Sequence, residues 1–133
     1  MHTHKKEVII PVGGAKPLAP YSPGIRMRHL VFTSGQVGLD PATGKLVEGG
    51  VEAQARQVML NLKAVLEAAW SDFEHVLKCT VFMLDMNDYA AINAVYGEFF
   101  KEDPPARSAV AVKGLPVGAL VEIEAVAIVK EDE

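Results

Sequence analysis

The sequence predicts an α+β domain in which a mixed sheet is covered by two helices on one of its faces. Two segments carry apolar residues at three- and four-residue spacing, which is typical of helices with one buried face. Shorter apolar segments rich in β-branched residues lie before, between and after them, as expected of strands. Because the 133 residues contain no internal repeat and no long linker, we expect residues 1–133 to form a single domain.

The N-terminal part of the chain predicts short strands separated by turns. We expect strands at 7–11, 25–28 and 29–34, the last one buried and ended by Gly35. The loop between the first two strands is rich in glycine and proline. A tight turn is predicted at 40–44, because proline stands early in it and glycine late.

The first helix is predicted over 51–70. Its buried face is an apolar stripe of Val51, Ala55, Val58, Leu62, Val65, Leu66 and Ala69. On the solvent side, Glu52 and Arg56 have the spacing of an ion pair within the helix.

The second helix is predicted to follow a strand at 75–84. Asp85 or Asn87 can cap it, and the proline pair 104–105 stops it. The aromatic residues on its apolar stripe, Tyr89 among them, are interpreted as packing residues; the stripe is Tyr89, Ile92, Tyr96, Phe99 and Phe100.

Two final strands are predicted at 106–112 and 119–130. The last one is apolar on both faces, with Val121, Ile123, Ala125, Ala127 and Val129 on one side and Leu120, Val126 and Ile128 on the other. Two helices can cover only one face of the sheet. We therefore expect a second copy of the chain to cover the other face, in a symmetric homo-oligomer.

Composition and charge narrow the class of protein. A net charge of -4 gives no general attraction for phosphate backbones, so we expect no nucleic-acid partner. Cys79 is the single cysteine, which favours a reducing compartment. Neither a secretory signal nor an apolar segment long enough to span a membrane is present, and we expect a cytoplasmic protein without a membrane partner.

Three charged residues are candidates for chemistry. Glu122 and Glu124 interrupt the apolar second face of the last strand, and a carboxylate among apolar residues is costly unless it is paired. Arg107 begins the preceding strand among small residues, and its planar fork is suited to binding a carboxylate. The alternatives remain open that both glutamates lie at a solvated edge or pair with lysines, and that Arg107 is an ordinary surface charge.

Other kinds of site find little support. The four histidines are scattered and form no metal-ligand spacing, so we expect no metal. The glycine pairs 13–14 and 49–50 belong to no nucleotide-binding pattern, and no nucleophile motif surrounds Ser34 or Ser108. Cys79 is interpreted as a small buried residue.

The residues resemble the Rid family, also called YjgF/L-PSP proteins, across nearly the whole chain. The matching segments include 19–24 (APYSPG), 33–36 (TSGQ), 54–57 (QARQ), 61–64 (NLKA), Asn93 with Tyr96, 105–108 (PARS) and 121–127 (VEIEAVA). The last two are the most specific. One departure is Ala109, where many bacterial members carry a cysteine, and this bears on the range of substrates.

The resemblance implies a chorismate-mutase-like fold and a homotrimer in which three sheets form a barrel, with active sites between neighbouring subunits. It implies an enzyme without a cofactor that hydrolyses reactive 2-imino acids and enamines to 2-oxo acids and ammonia, for example 2-aminoacrylate, 2-iminopropanoate and 2-iminobutanoate. The substrate-binding arginine corresponds to Arg107 and the water-activating glutamate to Glu122. Tyr21 would line the cleft, and Gly35 would supply a backbone donor.

This hypothesis places Arg107 and Glu122 on two adjacent strands, facing one crevice that a second protomer closes. Two alternatives accompany it. A non-catalytic trimer could use the same arginine to bind 2-oxo acids or amino acids as a regulator. An endoribonuclease or translation inhibitor is disfavoured by the acidic charge and by the absence of a basic aromatic stripe.

Overall fold

The computed structural model describes residues 5–14, 17 and 19–131. Its six strands are β1 (Glu7–Ile9), β2 (Gly24–Met27), β3 (Leu30–Thr33), β4 (Val76–Met83), β5 (Ala106–Ala111) and β6 (Val121–Ile128). The two helices are α1 (Gly50–Ala68) and α2 (Tyr89–Phe99). The elements therefore follow the predicted order, and each lies within a few residues of its predicted bounds.

The strands form one mixed sheet in the order β1-β2-β3-β6-β4-β5. β4 and β5 are parallel, whereas the other neighbours are antiparallel. Helix α2 connects β4 to β5, as expected for a crossover between parallel neighbours. β6 then pairs with β4 on its other side, so the prediction that the last two strands are adjacent is wrong. β4 separates Arg107 on β5 from Glu122 on β6.

The main core lies between the sheet and the two helices. Along β6 every second residue is buried, beginning with Val121 and Ile123, and these residues pack with the buried stripe of α1. The prediction of an α+β fold, with a mixed sheet and two helices packed on one of its faces, is therefore confirmed. Cys79 is buried in the same core, 1% exposed.

The face of the sheet that points away from the helices is open in one chain. Leu30 and Phe32 of β3 are 43% and 45% exposed, and Val126 and Ile128 of β6 are only half-buried. The prediction that the strand at 29–34 is buried is thus correct for one face alone, because only Val31 and Thr33 are covered.

Local contacts define the ends and the solvent side of the helices. Asp85 caps a short 3₁₀ turn, Met86–Asp88, by accepting a hydrogen bond from the Asn87 amide, and α2 begins directly after it. Arg56 forms its ion pair with Glu98 of α2 at 2.6 Å, instead of with Glu52 in its own helix. The pair therefore links the two helices. In the part of the chain that the structure describes, neither helix is both long and apolar enough to cross a membrane.

Two buried polar residues of α1 bind neighbouring loops, Asn61 the loop that follows β3 and Gln54 the one that precedes β6. Asn61 donates hydrogen bonds to the carbonyl oxygens of Val37 and Leu39, and Gln54 accepts one from the amide of Leu120. Because buried carbonyl and amide groups need partners, these side chains help to define the paths of both loops past α1.

Candidate functional site

A crevice of about 530 Å³ opens on the face of the sheet that the helices do not cover. It is lined by Ala19, Tyr21, Thr33, Ser34, Gly35, Pro116, Glu122 and Glu124. The volume falls in the range of small-molecule sites. The crevice therefore brings together four of the residues singled out in the sequence, namely Tyr21, Gly35, Glu122 and Glu124.

Glu122 projects into this crevice from β6, opposite Phe82 of β4. Its carboxylate packs directly on Gly35: a Cβ atom at that position would lie 2.6 Å from Glu122 Oε2. Gly35 is therefore required for the position of the carboxylate. Burial raises the pKa of Glu122 above its ordinary value, and the neighbouring charge of Glu124 raises it further.

No described residue compensates the charge of Glu122. The ion pairs among the described residues are Arg56 with Glu98 and Asp72 with His75, neither of which lies in the crevice. An elevated pKa and a position in a crevice are typical of general acids and bases. The alternative that Glu122 pairs with a lysine is not found in the described part of the chain.

The loop that carries Tyr21 is fastened to the end of β3. The Ser34 hydroxyl donates a hydrogen bond of 2.6 Å to the carbonyl oxygen of Ser22, and the Ser34 amide donates one of 2.9 Å to that of Pro23. These contacts place Tyr21, which is 43% exposed, beside Gly35 at the mouth of the crevice. Ser34 was not identified as a site residue from the sequence.

A strained turn forms another wall of the crevice. Val117 has a φ of 53°, a left-handed conformation that is rare for a β-branched residue, and it follows Pro116, which lines the crevice. Such strain is found preferentially at functional sites.

Arg107 lies on the other face of the sheet, under α2. It is paired across the sheet with the buried Cys79 of β4, and its side chain points to the helix. Nη1 donates a hydrogen bond to Asn93 Oδ1 at 2.8 Å, and Nη2 donates one to the Tyr89 hydroxyl at 2.9 Å. The guanidinium carbon also lies 5.5 Å from the ring centroid of Tyr89 and 4.9 Å from that of Tyr96.

All of these partners of Arg107 are neutral. No carboxylate of the described residues forms an ion pair with this half-buried guanidinium, although ion pairs form elsewhere in the fold. Hydrogen bonds and cation–π contacts orient a cation without neutralising it. The positive charge of Arg107 is therefore not neutralised by any carboxylate of the described residues.

Within one chain, Arg107 and Glu122 do not face a common crevice. They lie on opposite faces of the sheet with β4 between them, and Arg107 does not line the crevice that contains Glu122. The prediction that two adjacent strands bring them together is therefore wrong for a single protomer. Since β5 is an edge strand, the surroundings of Arg107 remain accessible to a second chain.

Sequence reasoning interpreted Tyr89 and Tyr96 as packing residues and did not assign a role to Asn93. The signal that could have found them is their spacing, because residues four and three apart lie on one face of a helix. That face of α2 covers the edge strand on which Arg107 stands.

The sequence of residues 13–129 matches the family model described as Endoribonuclease L-PSP. The chain belongs to the Rid (YjgF/L-PSP) family. A RutC family protein of Pyrococcus horikoshii is 48% identical over 122 residues, which are 92% of this chain and 97% of that protein. A Rid relative from Homo sapiens named 2-iminobutanoate/2-iminopropanoate deaminase is 44% identical over 111 residues, 84% of this chain and 81% of its own length.

Solved structures of Rid relatives have the same fold. The crystal structure of Escherichia coli TdcF with bound serine superimposes with a TM-score of 0.88 at 38% identity, covering 93% of this chain and 99% of the other. The similarity in sequence and in fold therefore extends over nearly the entire chain, as the resemblance predicted.

Proposed function

We propose that this Rid protein hydrolyses 2-imino acids to 2-oxo acids and ammonia without a cofactor. The observation that carries the proposal is the guanidinium of Arg107, which is oriented by Tyr89, Asn93 and Tyr96 yet paired with no described carboxylate. Such a cation is suited to binding the carboxylate of a small acid. The name of the human relative, 2-iminobutanoate/2-iminopropanoate deaminase, supports the choice of substrate.

The active site requires two protomers in this proposal. Arg107 of one chain would meet the crevice of Glu122, Tyr21 and Gly35 of its neighbour, because the two halves lie on opposite faces of a single sheet. The open apolar face around Phe32 and Val126 supports association. A trimeric, chorismate-mutase-like barrel of single-domain subunits, with residues 1–133 as the domain, is the assembly that the family resemblance implies.

The reaction requires a base and a fixed substrate. Arg107 holds the carboxylate, and the protonated C=N group of the substrate is electrophilic at C2. Glu122 removes a proton from a water molecule as the water oxygen bonds to C2, and the C=N double bond becomes single. Glu122 then delivers this proton to the nitrogen and, as a carboxylate again, takes the hydroxyl proton of the carbinol while the C–N bond breaks, a carbonyl forms and ammonia leaves. The departing ammonia takes the proton from Glu122 as ammonium, which restores the base. A positioned base of this kind contributes about 10²–10⁴-fold to the rate.

The elevated pKa of Glu122 suits this role. A carboxylate of higher pKa is a stronger base and takes a proton from water more readily once it is ionised. Gly35 packs against this carboxylate, and its backbone amide is the donor proposed to orient the substrate.

The direct test is imine hydrolysis by the wild-type protein and two variants. Threonine dehydratase generates 2-iminobutanoate, and semicarbazide traps whatever imine the Rid protein has not hydrolysed. Wild type should lower the yield of semicarbazone, whereas Arg107→Ala and Glu122→Gln should not. Arg107→Lys should also fail, since an ammonium group cannot form the planar two-point contact. Full activity in either single variant would remove that residue from the mechanism.

A second candidate function is non-catalytic binding of 2-oxo acids or amino acids. The related TdcF was crystallised with bound serine, which favours an amino acid as a ligand of that protein. Turnover distinguishes the two functions: a pure binding protein would bind 2-oxobutanoate through Arg107 but would leave semicarbazone formation unchanged.

A further inference from the structure

Two tyrosines contact Arg107, and they do so in different ways: Tyr89 through its hydroxyl and Tyr96 through its ring face. The hydroxyl of Tyr89 accepts a hydrogen bond from Arg107 Nη2, and its side chain is among the exposed large residues at 38%. Tyr96 offers Arg107 only its ring face, 4.9 Å away, while its own hydroxyl is buried in the core beside Cys79. Only Tyr89 therefore presents a hydroxyl at the guanidinium.

Among the described residues, none accepts a hydrogen bond from the Tyr89 hydroxyl. A phenol is both an acceptor and a donor, and the oxygen of Tyr89 already accepts from Arg107. In the described part of the chain no group accepts its proton in return, so the hydroxyl remains able to donate to a ligand bound at the guanidinium. Accepting from a cation also polarises the phenol, which makes it a stronger donor.

The two donors are close enough to serve one anion. Arg107 Nη2 and the Tyr89 oxygen lie 2.9 Å apart, and each still has a hydrogen to offer outward. Asn93 accepts a hydrogen bond from the other terminal nitrogen, Nη1, and this second contact holds the guanidinium beside Tyr89. We propose that Tyr89 is a substrate-binding residue, whose hydroxyl donates a second hydrogen bond to the carboxylate that Arg107 binds.

This inference rests on the proposed function and extends it to specificity. A carboxylate held by a cation and by a neighbouring phenol is distinguished from an ester or amide, which offers the phenol no charged oxygen. Tyr89 thus restricts the site to imines that carry a free carboxylate, and neutral imines should be poor substrates.

The test removes the hydroxyl alone. Tyr89→Phe keeps the ring over Arg107 but loses the donor, and it should weaken binding of 2-oxobutanoate, measured by calorimetry, by about tenfold, as expected for one hydrogen bond to a charged group. The KM for 2-iminobutanoate should rise by a similar factor, with a smaller change in kcat. Tyr96→Phe provides the matched comparison, and its effect on the affinity should be the smaller of the two.

A spectroscopic measurement separates direct contact from mere orientation of Arg107. With ¹³C-carboxylate-labelled 2-oxobutanoate at saturation, the infrared carboxylate band should differ in position between wild type and Tyr89→Phe. The amide of the same acid should bind both proteins equally. An unchanged affinity and an unchanged band in Tyr89→Phe would overturn the inference. If Arg107→Ala also binds 2-oxobutanoate like wild type, the proposed function itself has failed.

Discussion

At the scale of single residues, the fold holds Glu122 in an environment that disfavours its charge. The carboxylate is half-buried, lies near Glu124 and has no cationic partner among the described residues. A carboxylate that is buried without a partner destabilises the folded state when it is ionised. The destabilising position of the Glu122 carboxylate is explained if this group is kept for the proposed reaction and does not stabilise the fold.

Replacing Glu122 by Gln should therefore make the protein more stable at neutral pH. Because the pKa of Glu122 is raised in the folded state, the wild type loses stability as the pH rises from the ordinary value of 4.5 through the folded value, and the Gln variant does not. Unfolding temperatures measured from pH 4 to pH 8 should diverge in favour of Glu122→Gln as the pH increases. The exposed Glu67 in α1 provides the control, and Glu67→Gln should follow the wild-type curve. A variant that is less stable than wild type at pH 7 would contradict this account.

Gly35 offers a second test at this scale. In Gly35→Ala the new methyl group would meet the end of the Glu122 side chain at 2.6 Å, which can move at little cost to the fold. We expect imine hydrolysis to fall at least tenfold, with little change in unfolding temperature. The reason is that the displaced carboxylate is no longer in position to accept a proton from the attacking water molecule.

The control for Gly35→Ala is Gly97→Ala in α2, where a Cβ atom meets nothing within 4 Å. Alanine at an exposed helical position should stabilise the protein by about 0.5–1 kcal/mol and leave hydrolysis unchanged. Equal activity of Gly35→Ala and wild type would show that the position of Glu122 is not critical.

At the scale of secondary-structure elements, α1 holds two loops through polar contacts on its buried side. Gln54 and Asn61 stand seven residues apart on the buried side of α1, and both bind backbone groups of flanking loops. The sequence could have given this signal, since a polar residue on a buried helical face needs a hydrogen-bond partner. The identity of the partner could not be predicted, because it depends on a loop of irregular structure.

Asn61→Leu should destabilise the protein by about 1–3 kcal/mol. The substitution keeps a similar size but leaves the carbonyl groups of Val37 and Leu39 without their donor in a buried place. Arg56→Ala removes an exposed ion pair and should cost less, about 0.2–1 kcal/mol. Urea denaturation of both variants measures the difference, and an equal loss in the two would refute the role given to Asn61.

At the scale of the whole molecule, the periodic spacing of apolar residues predicted the helices and strands well, but it did not predict the order of the strands in the sheet. The stripe from Val51 to Ala69 identified α1, and the two apolar faces of the last strand correctly indicated that one face is uncovered by the chain itself. The order of strands was not accessible in the same way, because an apolar strand can pair with any other. Hence the separation of β5 and β6 by β4 was missed.

The face of the sheet on which Arg107 and Glu122 each lie could not be predicted from the sequence either. Alternation along a strand states which residues share a face, but small residues surround Arg107 on both sides, and nothing in the sequence of β5 indicates which face the helix covers. The structure shows that each face of the sheet carries half of the proposed site. This separation is the reason why we propose an active site between protomers.

Subunit mixing tests this central claim most directly. Arg107→Ala and Glu122→Gln chains, each inactive alone, would be co-expressed with different tags, and the hybrid oligomers purified through both tags. If the site combines Arg107 of one protomer with Glu122 of another, hybrids should regain imine hydrolysis, because about one in three interfaces of a hybrid cyclic trimer carries both intact residues. Hybrids that contain both chains and remain as inactive as the parents would contradict the account.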